Sequence, residues 1–328
     1  MFNAIMIDKT RTGSRASIRS LERAALPEGE ITIRVDYSSL NYKDALAITG
    51  RGPVVRRFPM IPGIDLAGEI IASDDPIYRP GDQVIANGWG LGEEHWGGLS
   101  QMARVHGKWL LPRPRNFSAR QCMGIGTAGY TAMLCVMALE KGGVTPGDGE
   151  IAVTGAGGGV GGIAIALLAR LGYRVVAVTG RDDLTGYLHM LGAAEVVGRS
   201  ALSHTARPLQ AARWRGAIDV AGGKMLAALC ASMRPGGVIA ACGLAAGMDL
   251  PLTVAPFILR GVTLQGIDSV TCPRDQRMAA WARLERDLDP ALVDSICADI
   301  PLKQAIATSP RLLAGNVRGR IVVNTHDA

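Results

Sequence analysis

The stretch Glu150-Ile151-Ala152-Val153-Thr154-Gly155-Ala156-Gly157-Gly158-Gly159-Val160-Gly161-Gly162 decides the fold. A short apolar run suited to a buried strand leads into a glycine-rich turn. An Ala-rich apolar pattern from Ile163 to Leu171 then reads as a helix, and Gly172 sits where a helix-ending glycine belongs. Strand, glycine turn and helix in that order make a dinucleotide-binding βα unit. Side chains at such a turn would hold the backbone away from a pyrophosphate. The helix N-terminus offers the phosphates unpaired N–H groups and the positive end of its dipole. Two registers of G-x-G-x-x-G are open: Gly157, Gly159 and Gly162, or Ala156, Gly158 and Gly161 with alanine in the first slot. Gly157, Gly158, Gly159 and Val160 are the expected cofactor-contact positions.

Arg174-Val175-Val176-Ala177-Val178 follows as the next parallel strand, β-branched and suited to burial on both faces. An NAD site wants an acid about 20 residues beyond the glycines, to hold the ribose 2′-hydroxyl. Here the strand ends in Thr179-Gly180-Arg181, with no acid at its tip. A hydroxyl, a glycine and a guanidinium suit a 2′-phosphate, and such a charge-assisted bond contributes roughly 1.5–3 kcal/mol. NADPH is therefore the expected cofactor. The competing assignment makes Arg181 a solvated loop charge and turns Asp182 back toward the ribose.

The 328 residues suffice for two domains with cores of their own, and 42 glycines suit an α/β protein with many tight turns. The net charge of +6 is dispersed along the chain, without the aromatic-interleaved basic clusters of a nucleic-acid binder. Six cysteines, Cys122, Cys135, Cys230, Cys242, Cys272 and Cys297, show no C-x-x-C spacing and read as small buried hydrophobes in a reducing compartment. The first residues are too soon interrupted by Asp8-Lys9 for a signal peptide. No run reaches the ~18 uninterrupted apolar residues of a membrane span. A cytoplasmic protein is expected.

Residues 1 to about 119 alternate in short runs, such as Glu30-Ile31-Thr32-Ile33-Arg34-Val35, between Pro/Gly turns such as Arg79-Pro80-Gly81-Asp82. That pattern predicts an antiparallel barrel-like domain. Ser118 is placed to cap a helix running to Gly126, and a second helical stretch spans Tyr130 to Leu139. After the βαβ unit come a helix (182–191), a strand (195–197), another helix, a strand (216–220), a helix (224–233) and a strand (237–242), which make a doubly wound sheet. Strands return at 262–267 and 321–323 around a helix at 275–288. The expected division is 1–119 plus 257–328 for the barrel and 120–256 for the inserted nucleotide domain.

A barrel in the first third, a central glycine turn and a return at the end resemble the medium-chain dehydrogenase/reductase superfamily, with its GroES-like and Rossmann domains. The strings Ser38-Ser39-Leu40-Asn41-Tyr42-Lys43-Asp44, Met60-Ile61-Pro62-Gly63-Ile64-Asp65 and Gly126-Thr127-Ala128-Gly129-Tyr130 are similar to its quinone-oxidoreductase branch. Gly92-Glu93-Glu94-His95-Trp96-Gly97-Gly98-Leu99 and Pro256-Phe257-Ile258-Leu259-Arg260-Gly261-Val262 narrow the resemblance to the acrylyl-CoA reductase family. Zinc-dependent members of the superfamily carry Cys and His ligands where this chain has Asn41-Tyr42-Lys43-Asp44 and Ile64-Asp65. A catalytic zinc needs about three Cys, His or carboxylate ligands, so no metal is expected.

The resemblance implies NADPH-dependent reduction of the C=C bond of acryloyl-CoA to propanoyl-CoA. An NADPH:quinone oxidoreductase and a non-enzymatic NADPH-binding protein are the alternatives. Tyr42 is the candidate catalytic and cofactor-contact residue, because its stretch faces the nicotinamide in this superfamily; packing the barrel mouth is its structural alternative. Lys43 and Asp44 could pair and order the loop, Asn41 could cap a turn, and Asp65 reads as a hydrogen-bonded barrel residue. The resemblance places Thr179, Gly180, Arg181 and Arg199 around the 2′-phosphate, and adds Leu244, Ile258, Ser269 and Asn316 as further cofactor contacts. The last three could equally be packing or turn residues. Arg51, Arg56 and Arg57 are either anchors for coenzyme A phosphates or a solvated basic loop. The apolar segment from Pro256 to Gly266 reads as the last strand of the Rossmann sheet, and an open edge of that kind predicts a homodimer.

Overall fold

The computed structural model describes residues 1–202 and 207–327. The chain divides into two compact units, one of Met1–Thr127, Val270–Glu285 and Asp289–Ala328, the other of Ala128–Ser269 and Arg286–Leu288.

The first unit opens with β1 (Phe2–Thr10) and β2 (Gly13–Leu21), an antiparallel hairpin turned at Arg11-Thr12. Then come β3 (Ile31–Ser39), α1 (Tyr42–Thr49), β4 (Asp65–Ser73), β5 (Gln83–Asn87), β6 (Met102–Val105) and β7 (Leu110–Pro112). The period-2 alternation of β3 puts Ile31, Ile33 and Val35 into one core with Leu66, Ile70 and Val84. Asn41 caps α1 and Gly50, in the left-handed region, ends it.

α2 (Ala119–Lys141) begins where Ser118 and Gln121 exchange side-chain and backbone hydrogen bonds, as expected of a capping box. At Gly126 the backbone leaves helical geometry (φ 47°, ψ −159°), which splits the helix into the two stretches read from the sequence. α2 is also long and apolar enough to cross a membrane by length and composition, against the expectation that no segment would be. Its apolar window is 89% buried within the protein, so the apolar surface is spent on packing.

The second unit continues with β8 (Glu150–Val153), α3 (Gly159–Arg170), β9 (Arg174–Thr179), α4 (Thr185–Met190), β10 (Glu195–Gly198), β11 (Trp214–Asp219), α5 (Gly223–Ser232), β12 (Met233–Ala241), α6 (Ala255–Arg260) and β13 (Thr263–Gly266). The sheet order is β10-β9-β8-β11-β12-β13, all parallel. Numbered within the unit this is 3-2-1-4-5-6, the doubly wound dinucleotide-binding order, and the strand order reverses beside β8.

Of the helix expected between β10 and β11, the described residues show a 3-10 turn at Arg199–Leu202 and irregular chain from 207 to 213, and the positions between lie outside the described residues. The segment from Pro256 is not one strand. Pro256 near its start and left-handed Gly261 at its end bound a short helix, α6, before β13 pairs with β12. An apolar run this short does not distinguish helix from strand by periodicity. The sequence put the domain borders at 119/120 and 256/257, whereas the compact units change over after Thr127 and Ser269. The first half of α2 packs with the barrel, and β13 extends the parallel sheet.

The chain then returns to the first unit through α7 (Arg274–Asp287), α8 (Pro290–Ile296), β14 (Cys297–Pro301), α9 (Gln304–Leu313) and β15 (Arg320–Asn324). β15 pairs antiparallel with β3 and parallel with β14, giving the order β14-β15-β3-β4-β5-β7, with β6 also on β3. The C-terminal strands thus complete the sheet begun at the N-terminus.

Candidate active site

The glycine turn distinguishes the two registers. A Cβ on Gly161 would press into the Gly155 carbonyl oxygen and stand 2.8 Å from the Ala156 Cα, both immovable backbone. On Gly162 it would meet the ends of Leu191 and Tyr187 at 3.4 Å and the Ala156 carbonyl oxygen at 3.7 Å, all ordinary or slightly tight contacts. Gly161 is therefore the position where helix and turn approach most closely, and Gly158, with extended geometry, is the N-cap of α3. The turn runs as Ala156, Gly158 and Gly161. Gly157 packs under Leu184, whose side chain fills the space its Cβ would need.

At the tip of β9, Gly198 of β10 stands opposite Thr179, so Arg199 emerges beside Gly180. A Cβ on Gly180 would lie 2.5 Å from Nε and 2.7 Å from Cζ of Arg199. The Arg181 backbone N–H donates to the Thr179 hydroxyl at 3.1 Å. The Arg181 guanidinium reaches Asp183, with Nη2 2.8 Å from Oδ2. Two guanidinium groups, a hydroxyl and a bare backbone step are gathered at one strand end. That set suits a phosphate monoester, and the side chain missing at Gly180 is what lets Arg199 lie there.

One group in this unit went unread in the sequence. Buried Asp219 at the end of β11 accepts from the Thr154 hydroxyl at 2.7 Å and from the Gly222 N–H at 2.7 Å. Burial raises its carboxyl above the usual range. It ties the glycine turn to the loop after β11 at the carboxyl ends of the strands, where doubly wound folds bind ligands. An acid closing the apolar run Gly216-Ala217-Ile218-Asp219 was the signal available.

In the barrel unit Tyr42 is the first residue of α1 and is 44% exposed. The helix start beneath it is tightly built. Asp44 Oδ2 accepts from the Asn41 backbone N–H at 2.9 Å, and Oδ1 accepts from the Ile64 N–H at 3.0 Å. Burial first, then neighbouring Asp65, pushes the Asp44 carboxyl up to about 6. Lys43 pairs with Glu93, not with Asp44. Asp65 is fully buried and accepts from Ser39, Asn41, Asn87 and both the backbone and hydroxyl of Thr127. Buried Arg320 completes the cluster, with its Nη1 donating to Asn41 Oδ1 at 3.0 Å and its Nη2 4.0 Å from Asp65.

The remaining expected residues are spread out. Leu244 follows β12 and is 57% exposed, Ile258 projects from α6 at 73% exposure, and Ser269 is half-buried at the end of the second unit. Asn316 is exposed in the first unit, in the loop before β15. Arg56 reaches Glu94 at 3.6 Å, while Arg57 joins Met60, Glu94, His95, Trp96 and His106 around an open cleft of about 380 Å³. Gly97 and Gly98 donate to the carbonyls of Ile61 and Gly63, which fastens the loop that carries His95 to the segment leading into Asp65.

Residues 27–115 match the family described as alcohol dehydrogenase GroES-like domain, and residues 159–286 match that described as zinc-binding dehydrogenase. The acrylyl-CoA reductase AcuI of Ruegeria pomeroyi is 47% identical, over 99% of this chain and 100% of its own length. The chain belongs to the acrylyl-CoA reductase family. Within the medium-chain dehydrogenase/reductase superfamily its fold is a GroES-like barrel with a Rossmann domain. The yhdH oxidoreductase of Salmonella enterica, solved in complex with NADP, superposes with a TM-score of 0.97 at 50% identity, covering 98% of this chain and 99% of that one. Bacillus subtilis yhfP, solved with NAD bound, gives 0.96 at 43%, covering 99% of each.

Zinc, which the second family description implies, does not fit this member of the acrylyl-CoA reductase family. Among the described residues no group of three or more His, Cys, Asp or Glu side chains could hold a metal ion. At the Asn41–Asp65 cluster the carboxylate is saturated by hydroxyl and amide donors and faces a guanidinium, a donor set that repels a divalent cation. The six cysteines are free, four of them buried. NADP does fit: the close-packed turn at Gly158–Gly161 and the bare step at Gly180 beneath Arg199 are built as such a cofactor requires.

Proposed function

We propose that this chain reduces the C=C bond of acryloyl-CoA to propanoyl-CoA with NADPH, adding hydride at the β-carbon and a proton at the α-carbon. The full-length likeness to the Ruegeria pomeroyi acrylyl-CoA reductase carries this reading. The arginines at the tip of β9 support the choice of NADPH over NADH.

Bound NADPH supplies the hydride. The turn Gly157, Gly158, Gly159 and Val160 receives the pyrophosphate on backbone N–H groups at the start of α3. Thr179, Gly180, Arg181 and Arg199 hold the 2′-phosphate. Leu244, Ile258, Ser269 and Asn316 complete the contacts with the cofactor. Tyr42 contacts the cofactor and donates the proton: the residue is exposed, and its backbone is fixed by the cap at Asn41. The chain acts in the cytoplasm as a homodimer. The exposed edge strand β13 and the exposed Ile258 and Leu259 of α6 support pairing of two copies.

Following NADPH absorbance in parallel with acryloyl-CoA, crotonyl-CoA and a benzoquinone tests the function. Preferential turnover of acryloyl-CoA is expected. Faster turnover of the quinone, or no oxidation with any of the three, would remove the proposal.

A further inference from the structure

A buried guanidinium beside the start of α1 has no part in the chemistry described so far. Arg320 opens β15 and is 4% exposed. Its Nε donates to the Gly124 carbonyl at 2.9 Å, its Nη2 reaches the Met123 carbonyl at 3.4 Å, and its Nη1 donates to Asn41 Oδ1 at 3.0 Å. Desolvating such a charge is costly and is offset only by well-placed partners. The partners here come from three separate parts of the chain. They are the α2 segment just before its break, the cap of α1, and, at 4.0 Å, the carboxylate of Asp65 on β4.

The bond to Asn41 fixes that amide's orientation. With Oδ1 taken by Arg320, the Asn41 amide N–H groups point the other way, at Asp65 Oδ2 (2.9 Å), Ser39 Oγ (3.0 Å) and Asp44 Oδ2 (3.1 Å). Asp44 then accepts from the Asn41 backbone N–H, which closes the cap. Tyr42 is the next residue. Gly126 makes room for all of this, since a Cβ there would stand 2.6 Å from Asp65 Oδ2 and 2.7 Å from Arg320 Nη2.

We propose that Arg320 is a positioning residue for Tyr42: through Asn41 it sets the start of α1 and hence the placement of the phenol. This rests on the role given to Tyr42 above. The planar fork matters as much as the charge, because it serves two carbonyls and an amide oxygen in fixed directions. Lysine would supply one ammonium and no such fork.

Arg320→Lys and Asn41→Ala test it together, the second leaving Arg320 balanced by Asp65. Each is expected to lower kcat for acryloyl-CoA at least tenfold, with NADPH affinity by fluorescence titration held within twofold. In a Tyr42→Phe background each should cost less than threefold more. Amide exchange over residues 40–49 should accelerate in both variants, while exchange in the nucleotide unit stays as in the parent. Unchanged kcat, parallel loss of NADPH binding, or a full additional loss in the Tyr42→Phe background would overturn the proposal. If the parent fails to reduce acryloyl-CoA, the functional reading falls by itself. The exchange over residues 40–49 still decides for or against Arg320, and unchanged protection there counts against it.

Discussion

Arg199 lies against Gly180, close enough that a Cβ added to Gly180 would stand 2.5 Å from the Arg199 Nε. A strand end without a side chain thus accommodates the cation of the neighbouring strand, because β10 sets Gly198 opposite Thr179. Arg199→Ala and Arg181→Ala should each raise the KM for NADPH by about 10- to 150-fold, the loss of one charge-assisted bond. NADH kinetics should hardly change. Gly180→Val should act in the same direction by displacing Arg199. Equal losses with both cofactors would contradict the 2′-phosphate role.

Tyr42→Phe keeps the ring and the helix cap and removes only the hydroxyl. As a proton donor Tyr42 is expected to contribute about 10²- to 10⁴-fold. The variant should lose kcat on that scale and keep its NADPH dissociation constant. Steady-state kinetics beside fluorescence titration read both, and full turnover with intact binding would dispose of the donor role.

Gly161→Ala should destabilise the protein by about 1–3 kcal/mol, the usual cost of forcing an extra carbon into close packing. The added carbon would have to displace backbone at Gly155 and Ala156. Gly162→Ala meets two side-chain ends and, at an ordinary contact distance, one carbonyl oxygen, and should cost well under half as much. Denaturant titration of the two variants checks the register of the turn. A reversed order would restore the reading through Gly157, Gly159 and Gly162.

Asp44 makes stability depend on pH. Its carboxyl ionises near 3.8 when unfolded and about 6 when folded, chiefly because it is buried. Between those values the folded state holds more protons than the unfolded one, so this group's contribution falls as pH rises through the window. The stability of the parent relative to Asp44→Asn should decline by about 2 kcal/mol from pH 4 to 6.5 and then level off. Urea unfolding at a series of pH values measures this difference. A difference independent of pH would be falsifying.

Much of the fold was legible because its signals are local. The run from Glu150 to Leu171 declares strand, turn and helix by glycine content and period. The alternation of Ile31, Ile33 and Val35 declares a barrel strand facing one core. Pro256–Arg260 differs from the expected strand because a short apolar run carries no period of its own. α2 was underestimated as an apolar segment because hydropathy does not say whether lipid or protein will cover it.

The sequence by itself determined the two architectures, the dinucleotide turn, the cation at the tip of β9 and the lack of zinc ligands around Asn41, since each depends on residue type at a fixed spacing. Tertiary structure alone decided which glycine meets the backbone, that Lys43 turns to Glu93, and that Asp219 joins Thr154. It also brought Arg320 to Asn41, 279 positions away along the chain. Side chains so far apart are related only through sheet register and packing, and those follow from the folded chain as a whole.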